Sequence, residues 1–167
     1  MESIKVIDDI LPDNLLKNAM SMLENLPWYY GHRSRPGDIK FWISVLDDRP
    51  FFTNTIYEMI KPHLNGNFKL VTVYANGQTY GLDGAYHFDS EDDDTYTFLL
   101  YLNDINRDNV EKIGGHILFK EGDTIKSIEP ILNRGVFFRS TVRHRGLAPS
   151  RLSNILRTSI AFKLLKC

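Results

Sequence analysis

One cysteine in 167 residues, and that the last, leaves no partner for an internal disulfide and no set of thiolates for a zinc cluster. Long apolar runs are missing too. The strongest, FLLYL at residues 98–102, is far too short to cross a bilayer, so no membrane partner is expected. Neither sign of charge dominates: 20 Lys and Arg against 21 Asp and Glu leave a net charge of −1. That balance gives no broad electrostatic footprint for nucleic acid, and none is expected as a partner. The opening residues, MESIKVIDDILPDNLL, lack a basic stretch followed by an apolar one, so no signal peptide is expected and the chain reads as soluble and cytoplasmic. Internal repeats, low-complexity tracts and linkers are absent as well. What remains is ordinary globular material, 43% hydrophobic and 25% charged, long enough to bury a core as one domain over residues 1–167.

The first part of the chain patterns as helix. Leu15, Leu16, Met20, Leu23 and Leu26 recur at close to a helical period, with Asp13, after Pro12, as the expected N-cap. A second helix is expected from about Thr53 to Lys61, stopped near Pro62 and the Asn65-Gly66-Asn67 turn. Between them, WYYGHRSRPGDIKFW (residues 28–42) reads as an exposed connection, although its aromatic ends and basic middle also suit a substrate-covering lid. After residue 66 the texture changes. FKLVTVYANG, AYHFDS, TYTFLLYLND, GGHILFK, SIEPIL, GVFFRS, VRHRGL and ILRTSIAFKLL read as short strands, punctuated by Gly, Asp, Asn or Pro, with no helix among them. Helical support over about 1–66 and a β-rich core over about 67–167 predict a mainly β fold, a sandwich or jelly roll with N-terminal helices.

Within that core, His87 and Asp89 lie two apart in DGAYHFDS, a stretch that reads as a strand; there they share a face while Phe88 points away. With 5 His and 14 Asp in the chain, about 0.4 such pairs arise by chance, so the pair gains meaning only from its company. Two imidazoles and one carboxylate on one side of an ion, with the remaining positions open, is how ferrous oxygenases hold their metal. His144, in STVRHRGLAPS, is the candidate second imidazole. On a strand it points inward with Val142 while Arg143 and Arg145 share the outer face. It follows Asp89 by 55 residues, room for four intervening strands. Further on, Arg157 interrupts the apolar strand ILRTSIAFKLL, with Ser159 on the same face. A guanidinium there is costly unless it meets a carboxylate or phosphate, and its planar fork suits a carboxylate.

These segments, VTVYANGQTY, YHFD, TFLLYLND, GGHILF, HRGLAPS and RTSIAF, together resemble the Fe(II)- and 2-oxoglutarate-dependent dioxygenases, in their prolyl 4-hydroxylase-like branch, over about residues 68–165. The resemblance implies a double-stranded β-helix, a cupin-like jelly roll with its site at the open mouth. It implies that His87, Asp89 and His144 ligate iron and that Arg157 binds the distal carboxylate of 2-oxoglutarate. Tyr101 matches a family tyrosine whose hydroxyl reaches that carboxylate, and Tyr74 one that lines the cosubstrate pocket; for both, an ordinary core aromatic is the alternative. Ser159 would complete the carboxylate site. Two departures stand out. The thirteen residues from His144 to Arg157 are longer than usual in the branch, so Arg151–Asn154 is expected to form an extra bulge. His116 stands where the branch more often has a carboxylate or small polar residue; it reads as a solvent-facing strand start, with a pocket-facing position as the alternative. His32 and His63 read as structural.

As cofactors the resemblance implies Fe(II), 2-oxoglutarate and O₂, with ascorbate a candidate reductant. As reaction it implies hydroxylation of an unactivated C–H with release of succinate and CO₂. The branch implies a prolyl residue in a peptide or protein as the primary substrate. Two other readings stand beside it: a 2-oxoglutarate oxygenase acting on a free amino acid or other small molecule, and a cupin-like jelly roll that binds a ligand without turnover. The acidic stretch SEDDDTY (residues 90–96) reads as a solvated turn, with attraction of a basic peptide as its alternative.

Overall fold

The structure, a computed structural model, describes residues 4–167. The chain runs through β1 (Ile4–Ile7), α1 (Asp13–Glu24) and a hairpin of β2 (Tyr29–His32) and β3 (Phe41–Val45). A mixed helical stretch follows: a π-helical turn over Phe51–Ile56, α2 (Tyr57–Ile60) and a 3-10 turn over Lys61–His63. Then come β4 (Phe68–Gln78), β5 (Thr95–Tyr101), α3 (Val110–Ile113), β6 (Ile117–Glu121), β7 (Thr124–Ile128), β8 (Gly135–Arg139), β9 (His144–Gly146) and β10 (Arg157–Lys166). Among the described residues the strands form two antiparallel sheets, one ordered β1-β8-β5-β10-β4-β3-β2 and the other β7-β6-β9. This is the expected jelly roll.

Strand alternation decides what each sheet face does. On β10, Ile160, Phe162 and Leu164 enter a core that also takes Val73 and Ala75 of β4, Phe98 and Leu100 of β5, and Ala19, Leu23, Phe52, Ile56 and Ile60 from the helices. The opposite face sends Leu99, Tyr101, Val136, Phe138 and Ala161 against Ile117, Phe119 and Ile128 of the smaller sheet. The larger sheet is therefore a middle layer, covered on both faces, and its central strands read as near-continuous apolar runs for that reason. At one end the second core gives way to an open cavity, and the same inward positions become polar there.

Several sequence expectations are corrected. Residues before 66 are not helix alone, because β1 pairs with β8 and the β2–β3 hairpin extends the sheet beside β4. Strands of four or five residues at a sheet's margin carry too few alternating positions to register as a period, so the hairpin reads as loop. Asp13 is the first residue of α1 and not its cap; Pro12 occupies the N-cap without a side-chain hydrogen bond. Pro62 sits inside the 3-10 turn, where a proline at the start of a turn is tolerated. A short helix, α3, interrupts the strands. Residues 85–89 form only an isolated bridge, His87 with His144, with a bend at Asp89, in place of a full strand.

Gly135 on β8 illustrates how tightly the middle layer is packed. A Cβ there would overlap the ring of Phe98, which is fully buried and wedged against Phe137 and Phe162, so the ring has nowhere to swing. Gly135→Ala is expected to destabilise the fold by about 1–3 kcal/mol, as overpacking does. The check is a denaturant midpoint shifted at constant slope; an unchanged midpoint would contradict the packing described.

Candidate functional site

Inward-facing positions of β4 and β10 line a cavity of about 250 Å³ between the sheets. From β10 come Arg157, Ser159, Ala161 and Lys163, each two residues apart and so on one face. From β4 come Tyr74, Asn76 and Gln78, and the hairpin adds His32, Arg33 and Phe41. His87, Asp89 and His144 stand on the facing wall.

The two histidines are placed by backbone pairing. The His87 amide donates to the His144 carbonyl at 2.9 Å, and the His144 amide returns the bond at 3.0 Å. Residues paired in this way project to the same side of a ladder, and the two rings lie 4.5 Å apart between centroids. Each Nδ1 meets a backbone carbonyl, Ala85 for His87 at 2.9 Å and Val142 for His144 at 2.8 Å. A carbonyl can only accept, so Nδ1 carries the hydrogen and the Nε2 lone pair of the neutral ring faces the cavity. Asp89 enters between them. Its Oδ1 lies 3.5 Å from Nε2 of His87 and its Oδ2 3.6 Å from Nε2 of His144, and the candidate ligand atoms all fall within 4.8 Å of one another.

Burial pushes the Asp89 carboxyl up, but the neighbouring His87 imidazole and the Lys163 ammonium outweigh it and hold the group far below the usual carboxylate range. Burial pushes the His144 imidazole down to about 4, so it is neutral near pH 7. Two imidazoles and one carboxylate are a donor set for a divalent first-row metal. An octahedral ion with ligands at about 2.1 Å separates neighbouring donor atoms by about 3 Å, against 3.5 and 3.6 Å from Asp89 to the two imidazoles here. The donor atoms are of the right kind for such a metal and stand somewhat wider apart than a bound ion would draw them.

Arg157 sits at the cavity floor, 2% exposed. Its Nε donates to the Gly115 carbonyl at 3.0 Å, and one terminal nitrogen donates to Gln78 Oε1 at 3.1 Å and Ser159 Oγ at 3.2 Å. The other terminal nitrogen approaches the Tyr101 hydroxyl at 3.5 Å, with the guanidinium 5.1 Å from that ring's centroid. Gly115 is required here: its φ is +81°, and a Cβ would stand 3.1 Å from Arg157 Cγ. Every partner is neutral. Among the described residues no carboxylate pairs with Arg157, so a buried cation is left to be neutralised by an anionic ligand. Burial also keeps the Tyr101 phenol protonated by raising its pKa, so it can donate to that ligand.

The structure therefore brings His87, Asp89 and His144 into one cluster, and Arg157, Tyr101 and Ser159 into a second on the same cavity. Four strands, β5 to β8, separate Asp89 from His144. Tyr74 lines the same cavity, with Lys163 Nζ 5.8 Å and the His32 ring 5.9 Å from its ring centroid. His116 is half-buried outside this cavity, beside Glu129 and Arg134. The Arg151–Asn154 stretch turns back through a Ser153 amide to Ser150 carbonyl bond and adds no strand residue. His32 was read as structural, yet it faces the cavity. A bulge between Tyr30 and His32, with Gly31 at φ +132°, turns its ring onto the side of Phe41. Gln78 and Lys163 were missed as well, although both follow from continuing the alternation of β4 and β10.

Comparison with known proteins agrees with this geometry. The family model described as the 2OG-Fe(II) oxygenase superfamily matches residues 70–162. No curated protein matches the chain. Among solved structures, a Trichoplax adhaerens prolyl hydroxylase in complex with a hypoxia inducible factor peptide fragment is 15% identical with a TM-score of 0.74, over 98% of this chain and 84% of that one. A Pseudomonas putida prolyl-4-hydroxylase is 17% identical with a TM-score of 0.68, over 99% and 93%. HygX from Streptomyces hygroscopicus, with nickel, 2-oxoglutarate and hygromycin B bound, is 14% identical with a TM-score of 0.74, over 98% and 83%. At these identities the likeness is one of fold.

His144→Ala is expected to abolish saturable Mn(II) binding while circular dichroism stays that of the parent; retained binding would remove His144 from the ligand set. Arg157→Gln is expected to raise the 2-oxoglutarate concentration needed for half-saturation of the metal-loaded protein about a hundredfold, because charge-assisted hydrogen bonds to a carboxylate are lost. An unchanged requirement, read by titration, would put the anion pocket elsewhere.

Proposed function

The chain belongs to the 2OG-Fe(II) oxygenase superfamily, and on that premise we propose that it hydroxylates a prolyl residue in a peptide or protein. The observation that carries the substrate reading is the aromatic lining of the cavity, to which His32, Phe41, Tyr74 and Phe88 contribute rings. Phe88, between two ligand residues, is 46% exposed, an aromatic surface held beside the reacting centre with no core to justify it. Aromatic-lined grooves are what proline-rich segments dock into, since the polyproline conformation is already formed and costs little entropy to bind.

When bound, ferrous iron with 2-oxoglutarate and O₂ supplies the oxidising chemistry that places one oxygen atom on an unactivated C–H and yields succinate and CO₂. The chain's part is binding and orientation. His87 and His144 would offer Nε2 and Asp89 a carboxylate oxygen. Arg157, with the Tyr101 and Ser159 hydroxyls, would fix the far carboxylate of the diacid, so that its other end meets the metal cluster in one pose. Leu99, Ile117 and Ala161, buried between the two clusters, form an apolar wall that keeps bulk water from the space between.

A small-molecule substrate is the second reading, favoured by the structural likeness to HygX, which was solved with hygromycin B bound. One experiment separates these readings from ligand binding without turnover. Anaerobically purified protein is given Fe(II), 2-oxoglutarate and O₂, and succinate is measured with and without proline-rich peptides. Peptide-stimulated succinate, with a peptide mass gain of one oxygen atom on proline, is the expected result. Turnover indifferent to peptides would point to a small molecule, and no succinate under any condition would leave a binding protein.

A further inference from the structure

Lys163 is a charged side chain that the family chemistry leaves without a task. It lies on the inward face of β10, six residues past Arg157, and reaches the carboxylate of the metal cluster. Its Nζ pairs with Asp89 Oδ2 and also contacts Thr97 Oγ1 at 3.1 Å. Thr97 Oγ1 lies 2.7 Å from the same Asp89 Oδ2 and 3.1 Å from Ser140 Oγ.

Donor counting fixes every direction in this network. Thr97 has one hydrogen, and an ionised Asp89 can only accept, so the Thr97 hydroxyl donates to Oδ2. Its two lone pairs then accept from Lys163 and from Ser140. Oδ2 thus receives both Lys163 and Thr97. Oδ1 makes no such close contact: its near neighbour is Nε2 of His87 at 3.5 Å, on a ring whose Nδ1 is turned to the Ala85 carbonyl. The backbone is pinned too, the Asp89 and Ser90 amides both donating to the Ser140 carbonyl at 2.9 and 3.3 Å.

We infer that Lys163 is a positioning residue that reserves Asp89 Oδ2 for itself and leaves Oδ1 alone to face the metal. The carboxylate then serves through one oxygen and cannot swing its second oxygen onto a coordination position the diacid needs. The ammonium also cancels the one negative charge of the cluster, so it opposes a dication and favours an anion beside it. Positioning and electrostatics make opposite demands on metal and cosubstrate, which is what makes the role testable. The inference rests on the metal and diacid of the superfamily and not on the choice of substrate.

The experiment uses Mn(II), which permits binding without turnover. Affinity for Mn(II) alone, and then for 2-oxoglutarate on the Mn(II)-loaded protein, is measured by calorimetry for the parent, Lys163→Met and Lys163→Arg. Lys163→Met is expected to bind Mn(II) several-fold more tightly, because a repelling charge is gone, and 2-oxoglutarate about tenfold more weakly. Lys163→Arg restores a cation at Oδ2 and should return both constants toward the parent. Thr97→Val, which removes the second donor to Oδ2, should weaken 2-oxoglutarate binding without tightening Mn(II). Loss of both affinities together in Lys163→Met, or no change in either, would overturn the inference, the first by assigning Lys163 to the fold alone. No primary substrate enters the measurement, so its failure is distinguishable from failure of the prolyl reading.

Discussion

The reciprocal amide–carbonyl pair between His87 and His144 is the constraint on which the site depends. It joins a segment after β4 to a three-residue strand of the other sheet, and neither piece is long enough to hold its register alone. One reciprocal pair suffices because the neighbours are fixed as well. The Gly84 amide bonds the Gly146 carbonyl at 2.9 Å on one side, and the Asp89 amide bonds the Ser140 carbonyl at 2.9 Å on the other. A slip by one residue would turn both imidazoles out of the cavity, since side-chain direction alternates with every residue. The carbonyls of Ala85 and Val142 then fix the tautomers from the same two segments. Backbone geometry sets position, direction and protonation pattern together.

β10 organises the rest. Its outer positions, Ile160, Phe162 and Leu164, lock it into the helix-side core, which is why its inner positions can be used for chemistry. Those inner positions put a guanidinium at one end of the cavity and an ammonium farther along it. Both are held in place by well-packed strand neighbours, β4 on one side and β5 on the other. The two cations differ in their surroundings. Lys163 has found a carboxylate, while Arg157 has only neutral acceptors and the face of a tyrosine. The unmatched charge marks the floor of the cavity as the place for an anion from outside the chain.

Much of this was legible in the sequence, because period-two alternation survives translation into structure wherever a strand is central. Arg157 and Ser159 on one face, and His144 inward between two outward arginines, follow from that rule alone. Arg143 is indeed exposed and His144 buried. The rule failed at its margins. His32 was hidden by a bulge, which inserts one residue and reverses the face of everything before it. The hairpin carrying it was hidden by shortness and by the polarity proper to a sheet edge. Lys163 was missed differently: alternation already puts it on the face of Arg157 and Ser159, but only the pairing with Asp89 shows what it reaches there. Tyr74 was placed by resemblance in the cosubstrate pocket; it lines the cavity, and its place beside Lys163 depends on tertiary geometry that no spacing encodes.

The distribution of charge explains why such an arrangement is retained in so small a protein. Arg33, Arg157 and Lys163 line the cavity against the single carboxylate of Asp89. Nothing in the fold calls for this excess, since a buried guanidinium among neutral groups costs stability that an apolar residue of similar volume would not. A protein that only had to fold would fill the end of the jelly roll with the side chains used elsewhere in the second core. A protein that only had to bind a diacid would need Arg157 and its hydroxyl partners, but not a carboxylate set between two tautomer-fixed imidazoles. The two clusters make sense together when a dication and a dianion share the cavity, each offsetting charge that the other and the chain leave unbalanced. Departure from good folding practice is concentrated where those two ligands would meet.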